Sequence, residues 1–221
     1  EYTPYFCESN AWHYYWFVPQ DIDGLISKTG GSGRFTQKLD SMFSYAPEPD
    51  AKLPLFSTGI IGQYAHGHEP SHHVSYLYNY IDQPAKAQKL VREILANQYK
   101  NEPNGHCGNE DCGQMSSWYI FSALGFYPVN PAQGAYDLGI PLFEEATLAL
   151  PNDKSFTIKA LGAPELKYVE HVSLNGAVLD RNYITHKEIT SGGTLEFKLT
   201  NDPKLANEKN RTSPETNKIY R

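Results

Sequence analysis

The hydrophobic period changes once along this chain, near Pro128, and that change constrains the fold more than any other feature. Before it, apolar residues recur at helical spacing. In 70–81 (PSHHVSYLYNYI), Val74, Leu77, Tyr78 and Ile81 follow the 3, 4, 7 pattern of one helix face. In 83–99, Pro84 opens a second helix and Ala87, Leu90, Val91, Ile94 and Leu95 form its apolar stripe. Two residues separate these helices, which predicts an antiparallel helical hairpin. Further helices are predicted over 9–17 (Ser9 or Asn10 as cap), 32–45, and 111–126, the last with Asp111 as N-cap and Gly125 near its end. After Pro128 come short alternating runs, ATLALP, SFTIKAL, HVSLNG, NYITHKEI and TLEFKLT, separated by PND, LGAPE, NGA and SGG. Period-two runs between turn residues predict an antiparallel β module. The expectation is an α + β chain: a helical part over 1–128, a β module over 129–204 and a polar tail over 205–221.

The 221 residues are 40% hydrophobic and 20% charged, the balance of a globular protein. A net charge of −6 gives a nucleic-acid partner no support. No apolar run reaches the length of a membrane span. Three cysteines, Cys7, Cys107 and Cys112, are no disulfide framework, although one pair could form. The chain starts EYTPYF without Met, which reads as a fragment or processed chain.

Residues 68–72, His68-Glu69-Pro70-Ser71-His72, match H-E-x-x-H. A zinc peptidase needs both histidines on one face of a helix with the glutamate beside them. Pro70 opposes this. It biases Glu69 away from the α region and suits the first position of a helix. His68 and Glu69 are therefore expected in the loop before that helix and His72 on it, so the zinc spacing is lost.

Three polar clusters precede aromatic helices: CESNAW with Glu8, HGHEPSHH with His68 and Glu69, and GNEDCGQMS with Asn109, Glu110 and Asp111. Helical hairpins stacked in a ring would bring these connections to one rim. Each cluster also has a plainer explanation. Asp111 can serve as an N-cap, Glu8 can favour a helix dipole, and Cys112 reads as a small buried residue. Trp12, Trp16 and Trp118 suit a core, with Trp12, in the segment of Glu8, also a candidate sugar contact. Taken together, paired carboxylates with imidazole and amide neighbours suit glycoside hydrolysis.

The segments ESNAWHYYWFVPQD, HGHEPSHHVSYLYNY and GNEDCGQMSSWYIFSALGFYPV resemble the signature segments of glycoside hydrolase family 92, exo-acting α-mannosidases, in the family's order. The resemblance runs from about residue 5 to 150. It implies helical hairpins of an (α/α)6 toroid followed by a small antiparallel β-sandwich module, with the family's N-terminal β-sandwich domain missing from this chain. It implies that Glu8 is the general acid, that Asp111 is the general base, and that Asn109 stands where some members carry an assisting carboxylate. His68 and Glu69 match a pair that contacts the leaving-group sugar and is linked to α-1,2 preference. Ca2+ is implied as cofactor, held by Asp111 with Asn109 or nearby carbonyls. The implied reaction is removal of terminal α-1,2-linked mannose from mannose-containing glycans by single displacement with inversion, at a periplasmic or extracellular site. The alternatives are a mannosyl-phosphodiester hydrolase of the same family and a non-catalytic carbohydrate-binding fragment.

Overall fold

A computed structural model describes residues 5–46, 53, 57–151 and 153–207. The helical part holds α1 (Ala11–Tyr14), α2 (Ile22–Thr29), α3 (Ser32–Ser44), α4 (Pro84–Asn97) and α5 (Gln114–Leu124). A two-residue antiparallel ribbon, β1 (Ile60–Ile61) with β2 (Tyr64–Ala65), lies between α3 and the HGHEPSHH segment. Their core gathers Trp16, Phe35, Leu39, Met42, Val74, Leu77, Val91, Ile94 and Trp118, all fully buried.

Three expectations for this part change. Helix α1 covers only Ala11–Tyr14, with Asn10 as its cap: Asn10 Oδ1 accepts the backbone N–H of Trp12 at 2.8 Å. The helix expected over 70–81 is a 3-10 turn, Glu69–Ser71, and a 3-10 helix, Val74–Ile81. Its apolar stripe was too narrow a description, because Val74 to Asn79 are all buried. Tethers from several sides hold it: Tyr76 O–H donates to Ser122 Oγ at 2.9 Å, and Asn79 Nδ2 donates to the Leu138 carbonyl at 2.9 Å. Asp82, at φ 57°, ends it directly before α4, which packs against it. Finally, α5 begins at Gln114, not at Asp111, and has no side-chain cap on its preceding residue, Gly113.

In the second part, β3 (Phe126–Tyr127), β4 (Ala135–Leu138) and β9 (Tyr183–Thr185) form one antiparallel sheet. A five-stranded sheet contains β5 (Glu145–Leu150), β6 (Lys154–Lys159), β7 (Tyr168–Leu174), β8 (Ala177–Val178) and β10 (Gly193–Thr200), in the order β5-β6-β10-β7-β8. It is mixed rather than antiparallel, since β10 runs parallel to β6 with Leu195 opposite Ile158. A parallel pair needs a long crossover, and the 160–192 stretch supplies it. Short turns between neighbouring runs conceal such a pairing. Both sheets bury side chains in one second core that includes Phe126, Leu138, Ile184, Phe156, Val172, Leu195 and Phe197.

The run NYITHKEI is half strand and half helix, β9 followed by α6 (His186–Ser191). A capping box explains the switch: Thr185 Oγ1 accepts Glu188 N–H while the Glu188 carboxylate accepts Thr185 N–H. The expected polar tail also starts later. Leu205, Ala206 and Asn207 belong to α7 (Pro203–Asn207), with Ala206 buried, and residues 208–221 lie outside the described residues.

Candidate active site

Two loops meet glycine to glycine beneath the candidate site. A Cβ built on Gly108, at φ 75°, would lie 3.0 Å from the Gly67 Cα and 3.0 Å from Thr58 Oγ1. This approach sets His68-Glu69 beside the Asn109–Asp111 loop. Gly108→Ala is expected to force the loops apart and to cost about 1–3 kcal/mol through the left-handed conformation alone. Urea unfolding of the variant beside the parent protein measures that cost, and an unchanged stability would mean that the loops yield freely.

Glu69 and Asp111 are in direct contact there. Burial of Glu69, the hydrogen bond that its protonated form donates to the neighbouring Asp111 carboxylate and, less strongly, the Glu8 charge push the Glu69 carboxyl up to about 7. Glu69 Oε1 is buried and has no hydrogen-bond partner among the described residues. Three carboxylates from three separate segments therefore share one field.

Neither Glu8 nor Asp111 performs the local task that would explain it cheaply. Asn10 caps α1, so Glu8 is not its cap. At α5 the capping is done by Glu110, whose carboxylate accepts Ser116 N–H at 3.0 Å and Ser116 O–H at 2.9 Å. Asp111 is left exposed, with no helix terminus to serve. Both residues sit in the left-handed region, Glu8 at φ 55° and Asp111 at φ 45°, and Cys112 follows at φ 58°. Non-glycine residues held there are concentrated at sites of function. Cys112 is exposed rather than buried, and all three cysteines are free thiols.

His68 lies between two rings that sequence reasoning missed. The His13 and Tyr14 ring centroids are each 5.2 Å from its own. Its Nδ1 bonds Ser71 Oγ at 2.9 Å, its Nε2 is buried without a partner among the described residues, and burial holds it neutral, down to about 4. Tyr14 O–H donates to the Cys7 carbonyl at 3.1 Å, and burial, together with the nearby Cys7 and Glu8, raises its pKa. The only sequence signal for these residues is their position one turn after Glu8. Trp12 is engaged elsewhere, with Lys38 Nζ 4.9 Å from its ring centroid and Tyr45 edge-on to it. Asn109 is exposed in the loop ahead of Asp111.

The zinc reading fails on bonding. His68 is the residue before the 3-10 turn Glu69–Ser71, with Pro70 inside it. His72 has both ring nitrogens occupied: Nε2–H donates to the His66 carbonyl at 2.8 Å and Nδ1 accepts from Gln114 Nε2 at 3.0 Å. Among the described residues, no three His, Cys, Asp or Glu side chains are grouped to hold a metal.

Three comparisons with known proteins bear on the family of the chain. Residues 1–201 match the model of the glycosyl hydrolase family 92 catalytic domain. An uncharacterized secreted glycosidase of Arthroderma benhamiae is 31% identical over 196 residues, covering 87% of this chain and 23% of that protein. A family GH92 α-mannosidase of Bacteroides thetaiotaomicron, solved with mannoimidazole, superposes with a TM-score of 0.83 at 39% identity, over 90% of this chain and 26% of that one. A GH92 inverting mannosidase of the same organism gives a TM-score of 0.80 at 37% identity, over 94% and 30%. The chain thus spans roughly a quarter of the length of the relatives it matches.

Proposed function

The chain belongs to glycosyl hydrolase family 92, and from that membership we propose that it carries the acid–base machinery of an exo-α-mannosidase that cleaves terminal α-1,2-linked mannose with inversion, outside the cell or in the periplasm. The observation that supports this most directly is the convergence of Glu8 and Asp111 on Glu69, with neither carboxylate used as a helix cap.

In this reading Glu8 protonates the glycosidic oxygen, and Asp111 removes the proton from the water that attacks the anomeric carbon from the opposite face. His68 and Glu69 hold hydroxyls of the sugar beyond the scissile bond; His68 Nε2 and Glu69 Oε1 are both buried and without a hydrogen-bond partner among the described residues. Asn109, an amide, can orient water but cannot take its proton. The (α/α)6 toroid and its β-sandwich neighbours are the architecture proposed for the full-length enzyme, with this chain as its later hairpins and terminal β module.

The donors also fit calcium. The oxygens of Asp111, with Asn109 and main-chain carbonyls, are the hard ligands that this cation takes, and His72 and His73 are committed to backbone carbonyls elsewhere. When bound, calcium supplies positive charge to the hydroxyls of the terminal mannose and favours a distorted ring.

The test is the anomer released. The complete protein incubated with α-1,2-mannobiose is expected to liberate β-mannose first, seen by proton NMR before mutarotation, and to stop on addition of EDTA. Release of α-mannose would refute inversion, and unchanged turnover in EDTA would refute the calcium assignment.

A further inference from the structure

We propose that His13 and Tyr14 are positioning residues that hold Glu8, the proposed general acid, in register with His68. This rests on the mannosidase reading and adds to it the means by which an exposed carboxylate is aimed at one oxygen.

Glu8 is exposed and lies ahead of α1 at φ 55°, so neither burial nor a helix holds it. A residue in that region keeps its conformation only where its surroundings fix it. Both of its chain neighbours are fixed, and by consecutive residues of α1. The Tyr14 hydroxyl donates to the Cys7 carbonyl at 3.1 Å, and the Ser9 hydroxyl bonds His13 Nδ1. Ser9 and His13 are 2% and 1% exposed, so water does not compete for the second bond.

His13 carries the tie further, because its Nε2 bonds the Gln63 carbonyl. A carbonyl only accepts, so Nε2 bears the proton and Nδ1 is left to accept from Ser9. Burial, against the weaker pull of the Gln63 bond, lowers the His13 pKa and keeps the ring in this neutral form. Gln63 sits in the turn between β1 and β2, where its N–H donates to the Met42 carbonyl at 2.6 Å. From β2 the chain runs directly into HGHEPSHH. A leucine would fill the space of His13. Joining Ser9 to that turn takes a side chain with a donor and an acceptor on different edges.

The His13 and Tyr14 rings also flank His68, each centroid 5.2 Å from its own. The oxygen that Glu8 protonates is bonded to the sugar that His68 holds. A frame that fixes acid and clamp together therefore fixes the acid relative to that oxygen. Proton transfer needs donor and acceptor within about 2.6–3.2 Å, and a displacement of about 1 Å can cost about a hundredfold.

Turnover of α-1,2-mannobiose and of an aryl α-mannoside with an acidic phenol, measured in the complete protein for Tyr14→Phe, Ser9→Ala and Glu8→Gln, tests this. Tyr14→Phe removes one half-exposed hydroxyl and leaves the ring beside His68, so the fold is kept. It is expected to lower kcat on mannobiose about tenfold, a part of what Glu8 contributes, with KM unchanged and far less loss on the aryl mannoside. Ser9→Ala is expected to do the same. A side chain that only supports the fold would lower both activities alike, together with the melting temperature. Equal losses on the two substrates, no loss, or a raised KM with kcat kept, in either variant, would overturn the proposal and leave the mannosidase reading standing, provided that Glu8→Gln depends on the leaving group. A Glu8→Gln variant without that dependence would refute the acid role itself, and the positioning role with it.

Discussion

Asp111→Asn in the complete protein is expected to lower turnover by about 10²–10⁴ on every mannoside, whatever the leaving group. Glu8→Gln is expected to cost a similar factor on mannobiose and far less on an aryl mannoside whose phenol departs without a proton. The asymmetry follows from the roles. A general base acts on water in every substrate, whereas a general acid acts only on a leaving group that needs protonation. A loss of that size corresponds to about 3–5 kcal/mol of barrier, more than either exposed side chain could contribute through folding. The substitutions also preserve the backbone. Asp111 sits at φ 45°, a conformation asparagine tolerates, and Gln is isosteric with Glu at φ 55°. Unchanged melting temperatures would therefore accompany the loss. The assay is kcat on both substrates for both variants. Equal losses on the aryl mannoside would refute the acid role of Glu8, and a substrate-dependent loss in Asp111→Asn would refute its role as base.

The parts of this site differ in how far the sequence could express them. Helix α4 was readable because Pro84 marks its start and its apolar stripe repeats at 3.6 residues. The disqualification of H-E-x-x-H was readable from one proline. The conformation of the Asp111 loop was not. Three successive residues, Asp111, Cys112 and Gly113, have positive φ, and only the last is a glycine. A non-glycine residue held in the left-handed region is fixed by its surroundings and leaves no pattern of its own. The same holds for the cap: Asp111 has the better spacing for a reader who assumes a helix from 111, but the extra left-handed turn moves the start to Gln114 and hands the task to Glu110. The glycines that let the loops touch, Gly67 and Gly108, are visible in HGHE and CGNED, but their partnership across 41 residues is a fact of tertiary structure. The parallel β6–β10 pairing was hidden for the same reason, since period two reports a strand's faces and not its neighbour's direction.

The buried imidazoles behind the site carry the second large expectation, an acid sensitivity that one residue isolates. His66, His72 and His73 are all buried, and each is spoken for. Tyr64 bonds His66 Nδ1 at 2.8 Å, and His66 Nε2 bonds Tyr99 at 2.7 Å; the Tyr99 hydroxyl in turn donates to the Met115 carbonyl. His73 Nε2–H donates to the Trp16 carbonyl at 2.8 Å, joining the HGHEPSHH segment to the end of α1. Burial lowers His72 and His73 to about 4, against the weaker opposing pull of the carbonyls they bond. The unfolded chain takes up these protons near pH 6.5, so each histidine's stabilising contribution is complete above that value and is lost as pH falls towards 4.

For His73 the linkage amounts to about 1 kcal/mol between pH 6.5 and 5.5 and approaches about 3 kcal/mol by pH 4. Two carboxyls work in the opposite direction. Asp137 is wholly buried and held well above its ordinary value, and Glu69 is raised to about 7, so both bind protons in the folded state first and favour it as pH falls. Bulk acid stability is therefore a difference between opposing groups, and a single melting curve cannot assign it. His73→Gln can, because the glutamine amide can still donate to the Trp16 carbonyl but does not titrate. Urea unfolding of both proteins from pH 7.5 to 4 is expected to show the variant less stable at pH 7.5 and the gap closing by about 1 kcal/mol per unit below 6.5. A gap constant with pH would mean that His73 takes up its proton alike in the folded and the unfolded chain, so that burial does not hold it neutral, and a gap widening as pH falls would mean that the folded protein favours the imidazolium.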